Sequence, residues 1–291
     1  MTLPRRPMAA VVGSLALLVA CVAQAGYYDV VMDDNPVAYW RLDEPSGAQA
    51  VDEVSGRVGS IVGGVTLNQP SGLTNEPGNP SMDFRTLAGS DGVVRVPQDA
   101  ALNPQSFSVE LWAKAEGNAG QYRSPLTNRG HSSPPGSGLS GQRGYLFYAA
   151  SNDRWLFWTG TGAGWSGQTG PAVNLDEWVH LVGTFEPTSG PDAYGILTGT
   201  KRFYVNGDLV GSATASYLPN NATDFHIGAG GDGGTSYDFY GDIDEVAVYD
   251  YALSPEQVAQ HYVTGTPEPA SLTLLVGGLA LLRARRRRSS R

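Results

Sequence analysis

Three carboxylates fall within four positions at Asp242-Ile-Asp-Glu245. Retaining glycoside hydrolysis is one chemistry open to paired carboxylates, provided that two of them flank the scissile bond about 5 Å apart. The residues that follow alternate, so on a strand Asp244 shares a face with Val246 and Val248 and is aimed where apolar side chains go. An unpaired carboxylate there is costly, and Asp244 therefore needs a hydrogen-bond or arginine partner inside the fold. Nucleophilic schemes have little to work with: the chain has four histidines and one cysteine, and no G-x-S-x-G elbow. His180 sits mid-strand between apolar neighbours and reads as a hydrogen-bonded core residue rather than a base. Trp158 and Trp165, which flank Thr159 to Gly164, are the candidates for ligand binding, because an exposed indole can stack on a sugar. The competing reading is that both rings cover the hydrophobic core.

The elements that position these residues are short strands separated by Gly, Pro, Ser and Asn. Phe107 to Lys114 alternates, with Phe107, Val109, Leu111 and Ala113 on one face. Gly144 to Ala149, Arg154 to Trp158 and Trp178 to Phe185 are further strands rich in aromatic and β-branched residues. Asn206-Gly207 suits the two positive φ values of a type I′ hairpin, so the segments on either side must pair. Residues 115 to 143 read as a Gly/Ser/Pro-rich insertion interrupted by a short strand at Pro125 to Asn128. One helix is expected, from Ser254 as N-cap to about Tyr262, with Pro255 in its first position and Gln257 closing a capping box. The pattern predicts an all-β sandwich of two antiparallel sheets with a short C-terminal helix.

Six stretches in order carry a resemblance. They are Ala38 to Glu44, Ser106 to Lys114, Glu177 to Val182, Tyr204 to Gly207, His226 to Ala229, and Gly241 to Tyr249 followed by Ala252-Leu-Ser254. Together they resemble the laminin-G-like branch of the concanavalin A-like jelly-roll superfamily, over residues 26–263. The β-glucanases of that superfamily carry E-x-D-x-x-E on a central strand, a motif that Asp242-Ile-Asp-Glu245 does not reproduce, so the resemblance implies a binding domain rather than an enzyme. It also implies a structural calcium joining the two ends of the fold, held by Asp244 with backbone carbonyls and with Asp43 and Gly47 of the early Asp43-Glu-Pro-Ser-Gly47 loop. Asp232 and Asp238, in the Gly-rich stretch from Gly230, are a weaker candidate pair.

Both ends of the chain read as addresses. Arg5 and Arg6 precede an apolar stretch from Met8 to Ala20, and Ala23-Gln-Ala25 offers small residues at the positions a signal peptidase reads, so residues 1–25 are expected to be a signal peptide. Cys21 also fits a lipoprotein box, in which it would be acylated. At the other end, residues 264–291 hold a short joint, then Pro267, Glu268 and Pro269, an apolar run, and the basic residues Arg283, Arg285, Arg286, Arg287 and Arg288. A transmembrane helix about 269–282 covers only about 20 Å, against about 30 Å of bilayer core. The segment resembles the PEP-CTERM sorting signal, with Glu268 between its two prolines, which implies an exosortase-type protease as partner and only transient hold in the inner membrane. The arginines would stay cytoplasmic and the domain would lie outside. The net charge of −9 rules against a nucleic-acid binder. The expected protein is a displayed or released domain that binds glycan or protein in an extracellular matrix, the alternatives being a glycan-active enzyme of the same fold or a matrix protein with no specific ligand.

Overall fold

A computed structural model describes residues 25–76, 78–85, 92–230 and 236–266. In chain order these form helix α1 (Tyr27–Asp33), strands β1 (Ala38–Trp40), β2 (Gln49–Val51), β3 (Val58–Val62), β4 (Thr66–Gln69), β5 (Ser81–Asp83), β6 (Val93–Val96), β7 (Phe107–Ala115), β8 (Arg123–His131), β9 (Gln142–Ala149), β10 (Arg154–Gly160), β11 (Trp165–Ala172), β12 (Trp178–Ser189), β13 (Leu197–Val205), β14 (Asp208–Tyr217), β15 (Phe225–Ile227) and β16 (Gly241–Tyr249), and helix α2 (Pro255–Gly265). One sheet runs β14-β13-β12-β7-β16-β5-β4, with β1 also paired to β16, and the other runs β11-β10-β9-β8-β15-β6-β3-β2. The ladders are antiparallel, as an up-and-back chain of short strands requires.

The sheets close over one core in which Phe107, Val109 and Leu111 of β7 meet Tyr145, Phe147 and Phe157 of the opposite sheet. Phe107 lies 4.5 Å from Tyr145 and 6.1 Å from Phe185, ring centre to ring centre. The expected hairpin is present: Asn206 and Gly207 have φ of 53° and 81°, and β13 pairs with β14 across them.

The outer face of the first sheet is buried as well. Trp112, Val182, Tyr204, Ala247 and Tyr249 form a second cluster with Tyr27 and Val31 of α1 and Val258 of α2. Trp112 therefore sits beneath the helices rather than between the sheets. Ser254 caps α2 and Gln257 reaches back to complete its capping box, as the sequence predicts. Helix α1 is an element the sequence reading omits, since a helix of 7 residues shows hardly two turns of pattern. The stretch taken as an insertion with a strand of four residues instead holds all of β8, nine residues in mid-sheet. Its Pro125 and Gly130 mask a strand whose side chains are almost all buried.

Strand β16 carries a bulge between Asp244 and Ala247, with Glu245 at φ 54°. This extra residue resets the alternation. Ile243, Val246 and Val248 face the inter-sheet core, while Asp244 pairs with Trp112 on the helix-covered side. The expectation that Asp244 shares a face with Val246 and Val248 is thereby corrected.

The sorting segment lies outside the described residues, which end at Thr266: Pro267, Glu268 and Pro269, the apolar run, and Arg283, Arg285, Arg286, Arg287 and Arg288.

Candidate functional site

The outer face of the second sheet is built by alternation. Tyr145 and Phe147 of β9 and Phe157 of β10 point into the core, so Leu146, Tyr148, Leu156 and Trp158 point out. Cross-strand register sets Leu146 beside Trp158, and Trp158 beside Gly167 of β11. A Cβ at Gly167 would lie 2.6 Å from Trp158 Nε1, so the glycine makes room for the indole. Trp165 closes the row, its ring 6.3 Å from that of Trp158 at 29°. Tyr148 meets Trp158 edge-on at 5.5 Å.

Both tryptophans are half-buried: each packs on the small cluster of Leu146, Tyr148, Ala150 and Leu156 and keeps part of its ring open. The rings thus cover a small cluster on the outer face of the sheet, separate from the core between the sheets. Arg129, from the C-terminal end of β8, holds the arrangement. Its guanidinium lies 4.9 Å from the centre of Trp165, and its Nη1 donates to the Tyr148 hydroxyl at 2.5 Å. No local signal marks Arg129 or Tyr148; only the pairing of β8, β9, β10 and β11 brings them to the tryptophans.

The acidic cluster lies elsewhere, at the other sheet. Asp244 is fully buried, and its Oδ2 accepts from the Gly72 amide at 2.9 Å and the Ser71 hydroxyl at 3.3 Å. Glu245, also fully buried, accepts from the Tyr39 hydroxyl, from Asn79 Nδ2 at 2.7 Å and from Arg41 at 3.4 Å. Burial pushes both carboxyls up; the charge of its neighbour adds to the effect at Asp244, while Arg41 works against it at both. Two enclosed carboxylates facing one guanidinium retain a proton at neutral pH.

Their partners are N–H and O–H donors, the complement of a carboxylate and not of a calcium ion, which needs six to eight oxygens. Asp43 approaches Arg41 at 3.9 Å, and Gly47 is exposed with φ 109°. Among the described residues no three His, Cys, Asp or Glu side chains gather as they would around a metal. The residues do not fit the calcium implied by the resemblance, and hydrogen-bond donors on Gly72, Ser71 and Asn79 meet the need of Asp244. Asp232 lies outside the described residues, and Asp238 lines a cleft on the second sheet.

A third polar centre, which the sequence reading misses, lies beneath the helices. Glu110 of β7 is fully buried and accepts from His180 Nε2 at 3.1 Å, His261 Nδ1 at 3.0 Å and the Tyr249 hydroxyl at 2.5 Å. The other ring nitrogen of His261 faces Asp34 Oδ2 at 3.0 Å. Carboxylates on both sides demand two N–H donors, which only the imidazolium supplies. Burial alone would lower the His261 pKa, but Glu110 and Asp34 outweigh it and raise it to about 9. His180 is driven the other way by its burial, stays neutral, and stacks on Trp112 at 5.0 Å. It is a hydrogen-bonded interior residue.

A family model, Laminin_G_3 of the Concanavalin A-like lectin/glucanases superfamily, matches residues 88–259. The chain belongs to this family. Among curated proteins, none matches it. Several solved structures share the fold. The receptor binding domain of botulinum neurotoxin type G is 14% identical at a TM-score of 0.52, over 78% of this chain and 51% of that one. The binding domain of botulinum neurotoxin DC in complex with SialylT is 12% identical at 0.56, over 80% and 52%. Domain 4 of AbnA, an extracellular GH43 arabinanase from Geobacillus stearothermophilus, solved with arabinotriose, is 18% identical at 0.53, over 78% and 98%. The chain spans about half the length of the neurotoxin domains and nearly all of the arabinanase domain. These neighbours are receptor-binding and carbohydrate-binding domains, and at such identities the likeness is one of fold.

Proposed function

We propose that the protein is an exported, non-catalytic domain that binds glycan through the outer face of its second sheet, with Trp158 and Trp165 as the stacking residues. The observation that carries this reading is the pair of half-buried indoles, packed against Tyr148, Leu146 and Arg129 and each partly exposed. Rings held this way lose little freedom when a sugar docks, which is where much of the cost of binding lies. A glycan-array screen of residues 26–266 tests it, run beside Trp158→Ala and Trp165→Ala. Binding that both substitutions abolish supports the reading; binding that neither affects moves the site elsewhere, and an empty array leaves the structural matrix role.

The same observations favour binding over catalysis. Asp244 and Glu245 have no exposed surface. Asp43 and Glu76 do line an open cleft, but Arg41 stands between them, 3.9 Å from one and 3.2 Å from the other. That pair faces a cation in the position where a scissile bond would have to lie.

Export and sorting complete the proposal: a signal peptide cut between Ala25 and Gly26, a tail read by an exosortase-type protease at Pro267, Glu268 and Pro269, and a membrane hold by the helix about 269–282 with its arginines in the cytoplasm. Ala23 and Cys21 lie outside the described residues, as does the tail; Ala25 is exposed. No helix among the described residues is long and apolar enough to cross a membrane. Intact mass of the mature protein from its native host tests the sorting step. A C-terminus still at Arg291 would leave a short, arginine-braced anchor.

A further inference from the structure

The tryptophans do not stand alone on their face. Tyr148, which meets Trp158, also meets Tyr122 at 5.1 Å and Tyr237 at 5.6 Å, and the latter two lie 6.0 Å apart at 70°. Arg129, stacked on Trp165, is 5.8 Å from the centre of the Tyr237 ring. The result is a chain of ring contacts from Trp165 and Trp158 to the two tyrosines, with partly exposed rings at both ends and Tyr148, 2% exposed, beneath the middle. At the tyrosine end it opens into a cleft of about 320 Å³ lined by Asn118, Gln121, Tyr122, Arg123, Tyr237 and Asp238.

The cleft has the features of a sugar subsite. Tyr122 and Tyr237 are 37% and 42% exposed, the most open rings of the group, so part of each is accessible to a ligand. Asn118 and Gln121, on the turn closed by the Gln121 amide and the Asn118 carbonyl, place two exposed carboxamides beside those rings. Each offers a donor and an acceptor, the pairing that adjacent hydroxyls require. Arg123 forms the floor. Its side chain is 1% exposed, its Nη2 is held by Asp153 at 2.9 Å, and its Nε has no acceptor among the described residues. A buried donor left unmet in the floor of a polar cleft is a second, independent sign of something that docks there.

We infer that the Tyr122–Tyr237 cleft is a second sugar subsite continuous with Trp158 and Trp165, and that the face takes a linear, neutral oligosaccharide several residues long. Neutrality follows from the charges. Among the described residues that line the cleft, the one cation, Arg123, is paired with Asp153 and Asp238 adds a carboxylate, so an acidic sugar meets an unfavourable field from a chain of net charge −9. This inference rests on the glycan-binding reading and extends its site.

The test is calorimetric titration of the full chain in detergent with arabino-, xylo- and gluco-oligosaccharides from disaccharide to hexasaccharide, and with oligogalacturonides of matching length. Wild type should bind a neutral series with affinity that rises with length. Tyr122→Ala and Tyr237→Ala should each cost about five- to tenfold on the longer members and little on the disaccharide. Tyr122→Phe and Tyr237→Phe, which keep the ring, should restore the affinity, and the alanine variants should keep the wild-type urea midpoint, an outcome that a merely structural role for these rings does not predict. If binding depends on Trp158 and Trp165 but ignores both tyrosines, the subsite is refuted and the glycan reading stands. Tighter binding of oligogalacturonides refutes the neutral class, and the absence of binding in every series defeats the subsite together with the reading beneath it.

Discussion

Replacing His261 by asparagine should remove a pH dependence that the fold carries at its helical side. The imidazolium joins three parts of the chain, Asp34 after α1, Glu110 in β7 and its own helix α2, with a side chain 1% exposed and therefore little screened. Its folded pKa is raised to about 9 from an ordinary 6.5. At about 1.4 kcal/mol per unit, the shift corresponds to roughly 3 kcal/mol at most. Because the folded value lies above the unfolded one, this stabilisation is complete below about pH 6.5 and is lost as pH rises through about 9. Lys201 pulls in the opposite sense. Burial lowers it to about 7 from 10.5, so the folded state binds fewer protons than the unfolded chain between those values and wild-type stability gains with pH there. The quantity to read is therefore the difference between wild type and His261→Asn in urea unfolding, followed from about pH 6 to pH 10. That difference should be large at pH 6, where the variant leaves Glu110 and Asp34 without their cation, and shrink by roughly 3 kcal/mol on the way to pH 10. Curves that stay parallel across the range would refute a charged His261.

Four further outcomes follow from single positions. Lys201→Met should raise stability by about 1–2 kcal/mol at pH 6, since its ammonium is fully buried with Ser166 and Thr159 oxygens and, among the described residues, no carboxylate as partner; a lower unfolding midpoint would count against it. Asp244→Asn should change stability by less than about 1 kcal/mol, and a chelator should leave the melting curve of wild type unmoved, whereas a drop in melting temperature on chelation would reinstate calcium. Gly183→Ala puts a Cβ 2.4 Å from the Phe157 ring across the core and should cost about 1–3 kcal/mol by denaturant unfolding, with unchanged midpoint as the contrary result. Ser254→Ala removes the cap of α2 and should cost about 1 kcal/mol, read the same way; no loss would mean that packing alone sets the helix start.

Where one face of a strand is apolar and the turn residues are distinctive, the architecture is legible in the sequence: β7, β9, β10, β12 and the Asn206-Gly207 hairpin follow from alternation and turn chemistry. The misreadings share a cause. Strand β8 looks like loop because Ser124, Pro125, Asn128 and Gly130 are poor strand formers in isolation, yet it is held on both sides by β9 and β15, and that pairing overrides local preference. The outer face of the first sheet gives no warning that it is covered, because the covering helices come from the two ends of the domain. Glu110 and His261 are 151 positions apart, and no spacing rule relates them.

The acidic cluster shows how much can hang on one backbone angle. Strict alternation would send Asp244 into the core between the sheets, where a cation is an obvious remedy. The bulge at Glu245 turns Asp244 to the opposite side, toward the Ser71 and Gly72 donors, and brings Glu245 to Tyr39 and Arg41. With those donors in place the carboxyls have structural employment, linking β16 to β1 and to the segment after β4, and they are closed to any substrate. The partly exposed Trp158 and Trp165 lie on the other sheet. The residues whose spacing first suggests chemistry thus serve the fold, while the proposed sugar-binding face, from Trp165 to Tyr122, is assembled from strands and loops far apart in the chain that no spacing rule relates.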